Sequence, residues 1–130
     1  MAEGKRAWRN GERISVSSVT ACENALIATG FLMKSPAAWM KFWSECVLCC
    51  LLARVRRCGA AALDLAWTAC GRFDAFYEDE LKPWDMAAGA LLVTEAGGSI
   101  SNLDGSPFDL RWSILAGNKA MHELIGKMIR

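Results

Sequence analysis

The segment Arg72-Phe73-Asp74-Ala75-Phe76-Tyr77-Glu78 leads, through Asp79-Glu80-Leu81-Lys82, into Pro83-Trp84-Asp85-Met86-Ala87-Ala88-Gly89-Ala90-Leu91-Leu92-Val93-Thr94. Its first part reads as a strand, with Phe73, Ala75 and Tyr77 on one side of the pleat. The second part reads as a helix, because proline is tolerated in the first turn and Gly97-Gly98 supplies a stop. No charged residue falls between Met86 and Thr94. A helix without a polar face is expected to be buried. A strand feeding a buried helix points to a layered α/β architecture.

Working outward, the same alternation recurs. Residues 13–19 alternate apolar and small polar side chains after Asn10-Gly11, which predicts a strand following a tight turn. Residues 25–29 form a short apolar run closed by Gly30, a second strand. Residues 37–53 read as a helix with Pro36 just ahead of it, and residues 55–58 as a short strand leading to Gly59. The Ala- and Leu-rich run 60–70 predicts a helix stopped by Gly71. Residues 99–103 and 114–116 read as strands, the first followed by an Asp104-Gly105 turn. Asn118 is placed to cap a last amphipathic helix that turns Leu124, Ile125, Met128 and Ile129 inward. No internal repeat or domain boundary is evident, so residues 1–130 read as a single α/β (α+β layered) unit.

Composition narrows the function. The chain has 130 residues, 53% of them hydrophobic and 22% charged, which suits one globular domain rather than a disordered tail. Fifteen basic against fourteen acidic residues give a net charge of +1, without the basic excess of a nucleic-acid binder. The N-terminal Met1-Ala2-Glu3-Gly4-Lys5-Arg6 lacks the apolar stretch of a secretory signal. The most hydrophobic stretch, 37–53, is interrupted by Lys41 and Glu45 and falls short of a membrane span of roughly 20 apolar residues. No membrane partner and no nucleic acid are therefore expected. Cytoplasm is the expected compartment, with an organelle left open. Of the six cysteines, Cys46, Cys49 and Cys50 form a C-x-x-C-C cluster. Zinc needs four ligands and the single histidine, His122, is distant, so reduced thiols in an apolar setting are expected there.

Candidate chemistry concentrates on carboxylates. Asp85, at the mouth of an apolar helix, suits an N-cap accepting backbone N–H groups. It equally suits a ligand for a hard cation such as magnesium, and the two roles are compatible. Glu78 ends its strand, a position that often borders a ligand cleft, whereas Asp79 and Glu80 read as a solvated turn. Gly59-Ala60-Ala61 at a helix start can leave N–H groups free for an anion or hydroxyl, or can simply allow close packing. Arg56 and Arg57, Glu95 and His122 read as surface residues. No phosphate-binding G-x-x-x-x-G-K-[ST] loop, G-x-S-x-G elbow or Cys/His nucleophile pair is present.

Arg56-Arg57-Cys58-Gly59-Ala60-Ala61-Ala62-Leu63-Asp64-Leu65-Ala66, then Gly71-Arg72-Phe73-Asp74, Glu78, Leu81-Lys82-Pro83-Trp84-Asp85-Met86-Ala87-Ala88-Gly89 and Thr94-Glu95-Ala96-Gly97-Gly98, resemble the inositol monophosphatase family. The Trp-Asp-x-Ala-Ala-Gly element is that family's C-terminal signature. Asn10-Gly11 with Ile14, Val16 and Ser17, and residues 25–31, extend the likeness over most of the chain, least clearly between 32 and 53. The resemblance implies the C-terminal half of an αβαβα sandwich. It further implies Mg2+-dependent hydrolysis of a phosphate monoester, typically myo-inositol monophosphate. It makes Asp85 a magnesium ligand bordering the substrate. It makes Glu78, seven positions upstream, the acceptor for inositol hydroxyls, and Gly59, Ala60 and Ala61 the substrate-contacting segment.

Two departures stand out. Family members usually carry serine or threonine where this chain has Ala60. The Gly-Glu-Glu and Asp-Pro-Ile-Asp-Gly-Thr elements of the family's N-terminal half are absent, so no residue here is assigned as catalytic. Two readings follow: half of a phosphatase, dependent on the other half or on self-association, or a non-catalytic binding module of the same ancestry. Related sugar, nucleotide or histidinol phosphates remain open as substrates.

Overall fold

A computed structural model describes residues 4–30, 40, 44 and 54–129. A small hairpin pairs β1 (Trp8–Arg9) with β2 (Glu12–Arg13), antiparallel. Its turn is Asn10 and Gly11, both at positive φ (50° and 81°), the geometry whose twist suits a two-residue hairpin. The expected strand over 13–19 goes no further than Arg13. Beyond the hairpin the chain has no neighbouring strand. Val16 instead donates to the Ala96 carbonyl (3.1 Å), and the Ser17 hydroxyl and Val19 carbonyl receive the Asn118 amide (2.9 Å each).

The main sheet has five strands: β3 (Leu26–Thr29), β4 (Arg54–Arg56), β5 (Ala75–Glu78), β6 (Ser99–Ser101) and β7 (Ile114–Gly117). Their order is β4-β3-β5-β7-β6. β4, β3 and β5 run parallel, with Ala28 opposite Arg56 and Phe76; β7 is antiparallel to both β5 and β6. Three α-helices lie wholly among the described residues: α1 (Ala61–Ala69), α2 (Pro83–Glu95) and α3 (Lys119–Ile129).

The pleat separates two cores. Ala28, Phe76, Ile114 and Ala116 face a cluster shared with Leu65 of α1 and Met86, Ala90 and Val93 of α2. Ile27, Ala75, Tyr77 and Leu115 face Met121 and Ile125 of α3, with Leu124, Met128 and Ile129 packed alongside. The described chain is thus a three-layer α/β/α unit. Burying a side chain such as Phe76 completely stabilises it by roughly 1.5–3 kcal/mol. Phe73 departs from its expected face. It lies in the turn before β5, joins the α1–α2 core and meets Trp67 edge to face, with centroids 5.6 Å apart.

Helix ends follow the glycines and Asn118. Gly71 (φ 79°) and Gly97 (φ 85°) take the left-handed conformation just past α1 and α2. Asn118 Oδ1 accepts from the Met121 N–H (2.8 Å) ahead of α3. The Asp104-Gly105 turn forms, its aspartate accepting from the Ser106 N–H at 2.9 Å. The expected helix over 37–53 and the Cys46, Cys49 and Cys50 cluster lie outside the described residues, apart from the helical Met40 and Ser44. Cys22, Cys58 and Cys70 are free thiols, Cys58 exposed.

Two expectations need correction. Helix α2 buries only one stripe, Met86, Gly89, Ala90 and Val93. Its other side is apolar but open: Trp84 is 78% exposed, and Ala87 and Ala88 are also exposed. The sheet covers one face of a helix, and among the described residues nothing covers the opposite one. Glu95 is no idle surface residue either. Its carboxylate grips the N-terminal arm, accepting from the Gly4 N–H (2.7 Å) and the Arg6 N–H (2.9 Å).

Asp74 ties the parallel strands together. It is 6% exposed, its Oδ2 accepts the Leu26 N–H at 2.6 Å, and its own N–H donates to the Leu26 carbonyl at 2.8 Å. Asp74→Ala orphans a largely buried donor at the start of β3. It should lower stability by about 2 kcal/mol, read as a drop in urea midpoint with unchanged slope.

Candidate functional site

The three parallel strands end on the same edge of the sheet, and each candidate residue follows from one of those ends. Gly30 follows β3, Arg57–Gly59 follow β4, and Glu78 closes β5. Clefts beyond the carboxyl ends of parallel strands are where open α/β sheets bind ligands. The Glu78 carboxylate lies against Gly30: a Cβ there would overlap it and push it out of this position. Glu78 is half-buried. Burial pushes its carboxyl up to about 7, reinforced by Asp64, Asp79 and Asp85 and opposed by the Arg57 guanidinium. Asp64, Glu78 and Asp85, which are distant in sequence, therefore share one electrostatic neighbourhood.

Asp85 occupies the third position of α2 rather than the N-cap, which is Lys82. Its Oδ2 accepts the Lys82 N–H at 3.0 Å, half of a capping box, because an acidic side chain one turn inside the helix reaches back to the orphan donors. Capping engages that one oxygen and leaves the other uncommitted among the described residues. Gly59 holds φ at 79°, and Ala60 is the N-cap of α1 in extended conformation without a side-chain cap. A hydroxyl at Ala60 would supply such a cap, worth about 1 kcal/mol. With alanine there, the first N–H groups of α1 stay available at the strand edge.

Asp64 is a residue to which the motifs assigned no role. It lies in the first turn of α1, only 1% exposed, and neither carboxylate oxygen has a hydrogen-bond partner. Burial raises its pKa, with the neighbouring Cys58 thiol acting weakly the other way. The available signal was a lone carboxylate inside the apolar run 60–70. His122, read as a surface residue, is half-buried, with Nε2 2.9 Å from the hydroxyl of Ser101 at the end of β6, two strands along the sheet from β5. A cleft of about 570 Å³ opens beyond the ends of β5 and β6, lined by Asp79, the residue after Glu78, together with Asn102, Asp104, Asp109 and Trp112.

Among the described residues, no three carboxylate, thiol or imidazole groups converge to hold a metal. Asp85 has the hard oxygen and partial exposure of a single magnesium ligand, so these residues fit part of a coordination sphere that other carboxylates must complete. No described helix is long and apolar enough to cross a membrane.

Comparison with known proteins identifies the family of the fold. The profile of the inositol monophosphatase family matches residues 1–130. The inositol-1-monophosphatase of Caulobacter vibrioides is 41% identical over 132 residues, spanning 98% of this chain and 52% of that protein. The Nus factor SuhB of Pseudomonas aeruginosa is 44% identical, over 90% of this chain and 45% of its own length. The crystal structure of the extragenic suppressor protein suhB from Bartonella henselae superposes with a TM-score of 0.91 at 37% identity, covering 98% of this chain and 50% of that one. The chain spans about half the length of these relatives. It belongs to the inositol monophosphatase family.

Proposed function

We propose that this chain is one half of a magnesium-dependent phosphate monoester hydrolase that converts myo-inositol monophosphate to inositol and phosphate, and that it does not turn over substrate alone. The observation that carries this reading is the placement of Glu78 and Asp85 at one sheet edge beside the free N–H groups of α1, in a chain that belongs to the family. Asp85 would hold magnesium through its uncommitted oxygen and border the substrate. Glu78 would accept inositol hydroxyls, seated against Gly30. Gly59, Ala60 and Ala61 would contact substrate through the backbone, with the hydroxyl of a serine or threonine missing at Ala60. Magnesium, when bound, supplies the Lewis acidity that phosphate ester hydrolysis needs. Its remaining ligands must come from outside the described residues.

A non-catalytic interaction module is the second reading, favoured by one observation: the open apolar side of α2, with Trp84 78% exposed and Leu63 of α1 45% exposed. Such a surface drives association. The test is phosphate release from inositol monophosphate at millimolar magnesium. The purified chain should release none above background, alone or self-associated. The chain joined to the half of the Caulobacter relative that it does not cover should release phosphate. A binding module would stay inactive in both forms, and turnover by the chain alone would overturn the first reading.

A further inference from the structure

Asp64 combines features that a folded protein rarely tolerates together. It is 1% exposed, it is a carboxylate, and both its oxygens lack hydrogen-bond partners. A buried charge is costly unless paired, and removing one partner of a buried pair leaves the other strongly destabilising. Its surroundings worsen the problem. Glu78 lies close enough for the two carboxylates to repel. The Cys58 thiol lies close by and offsets only part of the cost of burial. Arg57 acts on Glu78 and Arg56 on Cys58, whereas burial is the chief influence on Asp64. Cys58 is itself exposed, so Asp64 lies one side chain beneath the surface of the loop ahead of α1.

We infer that Asp64 is the acidic half of a buried ion pair whose cationic half, a lysine ammonium or arginine guanidinium, is carried by the polypeptide that covers the Arg57–Ala60 loop in the assembled protein. A metal ion fits less well. Magnesium requires near-octahedral oxygen coordination, and no three suitable groups converge among the described residues. A guanidinium fits best, because two unspent oxygens on one carboxylate match its paired N–H groups. The covering polypeptide is the half that relatives possess and this chain does not span, so the inference rests on the half-enzyme reading above. Asp64 thereby makes the separated chain less stable and rewards docking of the correct partner.

The experiment uses the full chain and its Asp64→Asn variant, each alone and mixed with the uncovered half of the Caulobacter relative, without added metal. Alone, Asp64→Asn should melt higher than the parent at about pH 8, and the gain should shrink as pH falls and the carboxyl, whose pKa burial raises, takes up its proton. With the companion half, the parent should bind, and Asp64→Asn should bind roughly thirtyfold more weakly or worse. Equal binding by both chains overturns the inference while leaving the half-enzyme reading intact. Failure of the parent to bind at all defeats that reading and this inference with it. A rise in the parent's melting temperature with magnesium alone, absent from Asp64→Asn, would make the missing cation a metal and also overturn the inference. Should Asp64→Asn misfold, the melting curve of Glu78→Gln decides, because it lacks the other carboxyl of raised pKa: stability of that variant that does not fall as pH rises from about 4.5 to about 8 is incompatible with an uncompensated buried carboxylate at Asp64.

Discussion

Asparagine in place of Asp85 is expected to abolish magnesium-supported turnover when the chain is joined to the uncovered half of its Caulobacter relative. Glutamine in place of Glu78 is expected to leave the magnesium requirement where it was. The two carboxylates differ in what they can touch. Asp85 spends one oxygen on the Lys82 N–H, which leaves the other uncommitted for the proposed magnesium. Neutralising a magnesium ligand removes several kcal/mol of charge stabilisation, on the order of a thousandfold in rate. The fold should survive, since the lost charge at the start of α2 costs only about 0.3–1 kcal/mol. Glu78 is turned toward Gly30 and shares its surroundings with Asp64 and Arg57. Glu78→Gln loses charge-assisted hydrogen bonds worth roughly 1.5–3 kcal/mol each, so the preference for inositol over a simpler phosphate ester should weaken.

The same variant carries a pH signature. Glu78 has its pKa raised from 4.5 to about 7, so the folded chain favours the protonated form. Stability from this group is lost as pH rises from the unfolded value through the folded one, and Glu78→Gln should flatten that decline. The measurements are magnesium titrations of rate for both variants and melting against pH for Glu78→Gln. A magnesium midpoint that shifts as far for Glu78→Gln as for Asp85→Asn would reverse the assignment of roles.

Gly89→Val is expected to destabilise the chain by about 3 kcal/mol or more, the largest effect foreseen away from the carboxylates. Gly89 lies on the buried stripe of α2 where that helix crosses α1. A Cβ built there would sit 2.5 Å from the Leu65 Cβ and 2.6 Å from its Cδ1. The first of these atoms is the root of a side chain and cannot swing away, so the helices must separate. Their separation would disturb Asp85 at the head of α2 and Asp64 on α1. Ala87→Val, two residues earlier on the exposed side, is the control, costing well under about 1 kcal/mol from helix propensity alone. Chemical denaturation of both variants measures the difference. Equal midpoints would mean that α1 and α2 do not rely on this close approach.

Much of the scaffold could be read from residue order because it depends on local chemistry. Gly71, Gly97 and Asn10-Gly11 take the positive φ that few other residues tolerate, and Asn118 caps the helix that follows it. Strand β5 and helices α1, α2 and α3 follow from short apolar patterns whose period matches the element. Asp85 and Glu78 could be singled out from their motif and from standing at the ends of elements. The sequence by itself therefore determined the order of most strands and helices and the family likeness. Only the tertiary structure decided which surfaces those elements cover. It stopped the strand after Arg13 for want of a neighbour, moved Phe73 to the opposite core and left one apolar side of α2 open. It turned Glu95 into a clamp on the N-terminal arm and placed Asp64 beneath Cys58 beside Glu78. The reason is physical. A turn or a cap is settled by a few adjacent dihedral angles and hydrogen bonds, whereas burial and charge pairing depend on residues brought together from distant parts of the chain.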